Sequence, residues 1–172
     1  MDFLEFAKNR FSVRKFTQEP VKQEHIEKIL DAAALAPTGC NLQPQRILVI
    51  NNQTTLEKLK NCTRCHFDCT AAFLVCCNTK ESWVRKYDGA TSGIIDTSIV
   101  ATHMMLESHN LGLGCTWVMH FNPQAMREEF NIPDNLEPVA SLVMGYPAED
   151  AAPLEMHFKS KEKQEFVFYN EF

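Results

Sequence analysis

From Gly93 to Leu111 the residues Ile94, Ile95, Ile99, Val100, Ala101, Met104, Met105 and Leu106 fall on more than one face of a helix, and Gly112 is placed to cap it. A helix that is apolar on several sides has to be covered on several sides. The chain has 172 residues, enough for one sizeable core and too few for two. Covering such a helix is then simplest if one face packs on the chain's own core and another meets a second subunit. The expectation is one domain, residues 1–172, that pairs as a homodimer.

Around this helix, helical and extended patterns alternate. Ile26, Ile29, Leu30 and Ala33 recur at helical spacing after Pro20, and Ala36-Pro37 closes the pattern, which predicts a helix over 22–36. Ile47-Leu48-Val49-Ile50 reads as a strand, and Leu56 and Leu59 as part of a short helix after the Asn51-Asn52 turn. Ala71 to Cys77 is an unbroken apolar run that predicts a buried strand, in which Cys76 and Cys77 behave as small hydrophobes. Pro123 to Phe130 predicts another helix, and Val139 to Gly145 another strand. The pattern fits an α/β or α+β fold, helices layered on a sheet. From about residue 147 the chain turns polar and then ends in Phe166-Val167-Phe168-Tyr169 and Phe172. Such a tail needs a surface to dock on, as an edge strand of its own sheet or of a partner's.

Charge and composition narrow the function. A net charge of -5 with scattered basic residues offers no footprint for nucleic acid or for an anionic membrane surface. There is no uncharged apolar run of membrane-spanning length, and the start lacks the pattern of an export signal, so a cytoplasmic protein acting on a small molecule is expected. Seven cysteines, an odd number in such a chain, argue against a disulfide framework.

Two segments carry candidate chemistry. In Arg10-Phe11-Ser12-Val13-Arg14 an extended backbone presents Arg10, Ser12 and Arg14 on one side and buries Phe11 and Val13 on the other. Two guanidiniums and a hydroxyl suit a phosphate dianion, although a solvated edge with two surface arginines fits the same five residues. In Ala36-Pro37-Thr38-Gly39-Cys40-Asn41-Leu42-Gln43-Pro44 two prolines and a glycine make a rigid turn. Thr38 and Asn41 bring donors and acceptors beside exposed backbone, which suits the heteroatom edge of a flat heterocycle. Alone, the turn also reads as an ordinary helix-to-strand connection.

Taken together and in this order, the two segments resemble the nitroreductase family of FMN enzymes. The long helix running into Leu111-Gly112-Leu113-Gly114 and the Gly145-Tyr146-Pro147 turn extend the resemblance over essentially the whole chain. The resemblance implies an α+β fold with a central, mostly antiparallel sheet flanked by helices, in an intertwined homodimer. It places two FMN sites at the subunit interface, with residues 147–172 as a tail that docks on the partner. It assigns Arg10, Ser12 and Arg14 to the phosphate, with Phe11 among the cofactor-binding residues, and Pro37, Thr38, Gly39 and Asn41 to the same flavin from the other subunit. Trp117, Val118, Met119 and His120 would lie along the ring. The implied activity is ping-pong hydride transfer from NADH or NADPH, a transient visitor, through FMN to a nitroaromatic, quinone or similar small acceptor. The flavin carries that chemistry, so no side chain is named as catalytic. Leu154 and Met156 stand where family members place basic residues around the phosphate, which predicts a weaker and more salt-dependent hold. His157 and Lys159 are the candidate substitutes.

Other motifs are set aside. Cys62-Thr63-Arg64-Cys65-His66 with Cys69 matches a haem-attachment or metal pattern, but solvent-facing thiols are the expectation and no metal is assigned. Gly112-Leu113-Gly114 begins like a dinucleotide loop, yet Trp117 stands where the last glycine belongs. His103 and His109 receive no role. The rival readings are a non-enzymatic flavin or metal binder, and a dehalogenase-like flavin enzyme of the same fold.

Overall fold

A computed structural model describes residues 2–172. Among the described residues nine α-helices and strands follow one another: α1 (Phe3–Asn9), α2 (Gln23–Ala34), β1 (Gln45–Ile50), α3 (Gln53–Cys62), β2 (Ala71–Asn78), α4 (Gly93–Asn110), β3 (Gly114–Val118), α5 (Pro123–Phe130) and β4 (Leu136–Gly145). The strands form one sheet in the order β1-β2-β4-β3, every pair antiparallel. The expected α+β class is what the chain adopts.

Burial explains the order. Every residue of β2 is buried, and so are residues 138–145 of β4, so these two strands take the centre. On one face Ile26, Ile29 and Ala33 of α2 and Val100, Ala101 and Met104 of α4 pack on Phe73, Val75, Leu142 and Met144. On the other, Leu59 of α3 and Met126 of α5 pack on Leu74 and Val143. Phe73, Leu74 and Leu142 are fully buried, each contributing roughly 1.5–3 kcal/mol of hydrophobic stabilisation. Pro138 lies inside β4 because the β2–β4 register shifts between Val75 and Cys76, where Cys76 is its partner; a bulge absorbs a residue without an N–H.

Several expectations need correcting. The helix expected over 22–36 spans Gln23–Ala34, and the short helix around Leu56 and Leu59 extends over Gln53–Cys62. On α4 the most exposed residues include Ile94 and Ile95, while Asp96, Thr97 and Ser108 face the interior. The tail divides in two. Its first part straps the chain's own N-terminal segment: Tyr146 C=O accepts from Thr17 N–H (2.8 Å), Ala148 N–H donates to Lys15 C=O (3.0 Å), and Lys15 pairs with Asp150. Its last part, including Phe166, Phe168, Tyr169 and Phe172, stays exposed and adds no strand to this sheet.

Candidate functional site

The Arg10–Arg14 segment leaves α1 extended, with Arg10 as the C-cap, and crosses the start of β3. Val13 N–H donates to Cys115 C=O (3.3 Å), and Thr116 Oγ1–H donates back to Val13 C=O (2.5 Å). Val13 is buried on the bare face of Gly114, where an added Cβ would lie 2.6 Å from the Val13 side chain. The segment is thus seated on the sheet edge. Phe11 is only half-buried, contrary to the alternation, because it turns its ring toward His157 (6.3 Å between centroids, edge-on).

Arg10 is half-buried, with Nη1 4.0 Å from Met105 Sδ on α4; Arg14 is exposed and donates to Ser12 C=O (3.0 Å). Neither guanidinium has a carboxylate partner among the described residues, whereas the neighbouring Lys15 does. Leu154 and Met156 are exposed and bring no charge. From the following turn His157 reaches the segment, its Nε2 3.2 Å from Lys8 C=O, while Lys159 is paired with Glu155 (2.6 Å).

β3 links this end to a second group of residues. Val118 is buried and Trp117 half-buried, while Met119 and His120 emerge, exposed, into a cleft of about 600 Å³. The cleft is also lined by Asn61, Thr63 and Arg64, polar residues beside or within the Cys62–Cys65 pattern, to which sequence assigns no role. Thr63 Oγ1–H donates to His120 C=O (2.5 Å) and fixes the strand's exit. From Cys115 to Met119 is about 13 Å at the usual strand rise, so Arg10, Ser12 and Arg14 lie at one end and the cleft at the other.

Solvent-facing thiols were expected next to this cleft, and Cys62 and Cys69 correct that expectation. Cys62 and Cys69 are buried in the core under α3 and α5, and burial pushes their pKa up to about 11 and about 12. Protonated thiols in an apolar setting are poor metal ligands. Among the described residues no group of three or more His, Cys, Asp or Glu side chains is arranged to hold a metal ion.

The Pro37–Asn41 loop lies elsewhere. Gly39–Asn41 form a single 3-10 turn, Thr38 Oγ1 accepts from Gln43 N–H (3.0 Å), and Asp96 in the first turn of α4 accepts from Gly39 N–H (3.0 Å). Pro37 and Asn41 are exposed, Thr38 and Gly39 half-buried. Arg10 packs further along the same helix, at Met105. Nine residues separate Asp96 from Met105, about 14 Å along the axis. Within one chain the Arg10–Arg14 segment and the Trp117–His120 stretch are neighbours along β3, and the Pro37–Asn41 loop is held at the far end of α4.

The donor set fits a flavin mononucleotide: unpaired guanidiniums and a hydroxyl for a phosphate, and an open cleft one strand-length away for a flat ring. Comparison with known proteins agrees. The model of the Nitroreductase family matches residues 7–72 and 61–146. A protein of Methanothermobacter thermautotrophicus, provisionally named an NADH dehydrogenase/NAD(P)H nitroreductase, is 34% identical over 157 residues, covering 87% of this chain and 80% of its own. The crystal structure of a nitroreductase family protein from Clostridium difficile 630 superposes with a TM-score of 0.94 at 43% identity, covering 100% of both chains. An FMN-dependent nitroreductase from Clostridium difficile R20291 superposes with a TM-score of 0.79 at 27% identity, covering 98% of this chain and 99% of that one.

Proposed function

The chain belongs to the nitroreductase family, and from that premise we propose that it is an FMN-dependent oxidoreductase drawing on NADH or NADPH. The observation that carries this reading is the pair of arginines without carboxylate partners, seated with Ser12 at one end of β3 while Met119 and His120 open into a cleft at the other. Bound there, FMN supplies the hydride chemistry that takes reducing equivalents from NAD(P)H to a nitroaromatic, a quinone or a similar small acceptor. The protein's residues bind and orient. Arg10, Ser12 and Arg14 hold the phosphate, with Phe11 as their backing. Trp117, Val118, Met119 and His120 run along the ring. His120 is exposed at the cleft, so solvent can deliver a proton there.

In this reading Pro37, Thr38, Gly39 and Asn41 approach the flavin of a second copy. Support comes from their separation from Arg10 along α4 and from the surface that a single chain leaves uncovered. Ile94 and Ile95 of α4 stand exposed. An apolar groove of about 540 Å³ lies between α1, α2 and α4, lined by Phe3, Phe6 and Leu106. Phe166, Phe168, Tyr169 and Phe172 at the end of the tail are exposed. So much exposed apolar surface is what a protein–protein interface leaves behind when one partner is removed. The proposed assembly is a homodimer in which the tail lies over the partner. Among the described residues no helix is long and apolar enough to cross a membrane.

Initial-velocity kinetics test the sequence of events. With one cleft serving donor and acceptor in turn, double-reciprocal plots at several acceptor concentrations should be parallel lines. Intersecting lines, which require both substrates bound together, would contradict the shared cleft.

A further inference from the structure

We propose that Asp96 is the positioning residue of the flavin loop, holding Gly39 so that Thr38 and Asn41 are set in place before the flavin arrives. The proposal rests on the reading of the Pro37–Asn41 loop given above and assigns a role to a residue outside it.

The loop does not hold itself in this shape. Cys40 (φ 49), Asn41 (φ 55) and Gln43 (φ 50) all adopt left-handed backbone, a conformation that L residues with a Cβ enter only when their surroundings impose it. Three hydrogen bonds are internal to the turn: Asn41 N–H to Thr38 C=O (2.9 Å), Leu42 N–H to Gly39 C=O (3.1 Å) and Gln43 N–H to Thr38 Oγ1 (3.0 Å). The bond from Gly39 N–H to Asp96 Oδ1 ties the glycine end of the turn to α4, while at its other end Gln43 C=O accepts from Arg46 Nη1 of β1 (3.3 Å). The other carboxylate oxygen, Oδ2, accepts from Ser92 Oγ–H (2.6 Å), so the latch is itself fixed to the start of α4. The fit is close. A Cβ on Gly39 would lie 3.0 Å from Ser92 Oγ and 3.0 Å from Trp83 Cβ, so the turn packs tightly against Trp83 and the cap of α4.

Asp96 is also an expensive choice for a mere spacer. It is 4% exposed, and its two side-chain donors are neutral. A carboxylate taken out of water is retained here by those two bonds and by its place in the first turn of α4, where the helix dipole favours negative charge. Strained backbone held by a buried charge is the arrangement expected where geometry serves a ligand.

The test compares flavin binding by apoprotein, followed through quenching of flavin fluorescence, for FMN and for riboflavin, which lacks the phosphate. Asp96→Ala leaves the Gly39 N–H without its acceptor, and FMN and riboflavin should both weaken by about tenfold, because the loop acts on the ring half of the ligand. Asp96→Asn keeps an acceptor for Gly39 and should recover most of the affinity. Ser92→Ala, which loosens the latch without removing it, should fall between. Val100→Ala, a core truncation on the same helix, serves as the control for general destabilisation and should bind both flavins as the parent does. The visible circular dichroism of bound flavin should change in Asp96→Ala and be restored in Asp96→Asn. If Asp96→Ala does not fold, the ranking of Asp96→Asn, Ser92→Ala and parent decides. The proposal is overturned if Asp96→Ala, or Ser92→Ala where the former fails to fold, matches the parent with both flavins. Equal weakening by Val100→Ala would overturn it too. A parent protein that takes up neither flavin would instead overturn the functional reading, and the proposal with it.

Discussion

Arg14→Ala should retain less than about a tenth of the FMN affinity of the parent protein, with riboflavin binding nearly unchanged. Arg14 is exposed and engaged only by Ser12 C=O, two residues away, so its guanidinium can turn to a dianion without breaking an ion pair. A charge-assisted hydrogen bond of this type contributes roughly 1.5–3 kcal/mol, and about 1.4 kcal/mol is a factor of ten in affinity. The loss should be confined to the ligand that carries the phosphate. Leu154 and Met156 add no cation and Lys159 is committed to Glu155, so little stands ready to compensate. For the same reason FMN binding by the parent should weaken as salt rises, since partly exposed charges are screened over about 8 Å at physiological ionic strength. Isothermal titration of apoprotein at two salt concentrations measures both effects. Undiminished FMN binding by Arg14→Ala would remove the phosphate from this segment.

Gly114→Ala should lower the melting temperature by roughly 2–12 °C and weaken FMN binding as well. The new methyl would sit 2.6, 2.7 and 2.8 Å from Cβ, Cγ1 and Cγ2 of Val13, well inside contact distance. Val13 cannot step aside, because it is 3% exposed and its N–H and C=O are both bonded to β3. Overpacking of this kind costs about 1–3 kcal/mol, and each kcal/mol is worth roughly 2–4 °C in a chain of this size. What yields is the Arg10–Arg14 segment, so the stability loss and the affinity loss share one cause. Val13→Ala introduced beside Gly114→Ala makes room for the methyl and should restore part of both. A Gly114→Ala protein that melts with the parent would show that the segment is not seated on β3 as described.

The parts of this fold that sequence made legible are those where local pattern and burial agree. Ala71–Asn78 is apolar throughout and lies at the sheet centre, and Gly93–Asn110 is apolar on several faces and packs on α2 and the sheet. Where tertiary contacts decide, the pattern was silent. β3 is only five residues long, begins with a glycine and follows another; nothing local marks it as the edge that receives Val13. Pro138 speaks against a strand until the bulge opposite Cys76 explains it. Asp96 lies among isoleucines, and a charged residue there is ordinarily assigned to solvent. In fact Ile94 and Ile95 are the exposed ones, because Asp96 has Gly39 and Ser92 to bond and the isoleucines face away from the core. The cleft residues Asn61 and Arg64 were hidden by the cysteines around them, whose spacing suggested a ligand set although Cys62 and Cys69 are packing residues. The Arg10–Arg14 and Pro37–Asn41 motifs were visible as motifs, but not their separation along α4, which depends on where the helix runs.

The absorbance spectrum of the purified protein, reconstituted with FMN and treated with NADPH or NADH in the absence of oxygen, tests the central claim most directly. The account predicts a yellow protein that bleaches with at least one of the two donors and recovers its colour when a nitroaromatic or a quinone is added. A protein that stays colourless after reconstitution, or one that is yellow and bleaches with neither donor, would contradict it.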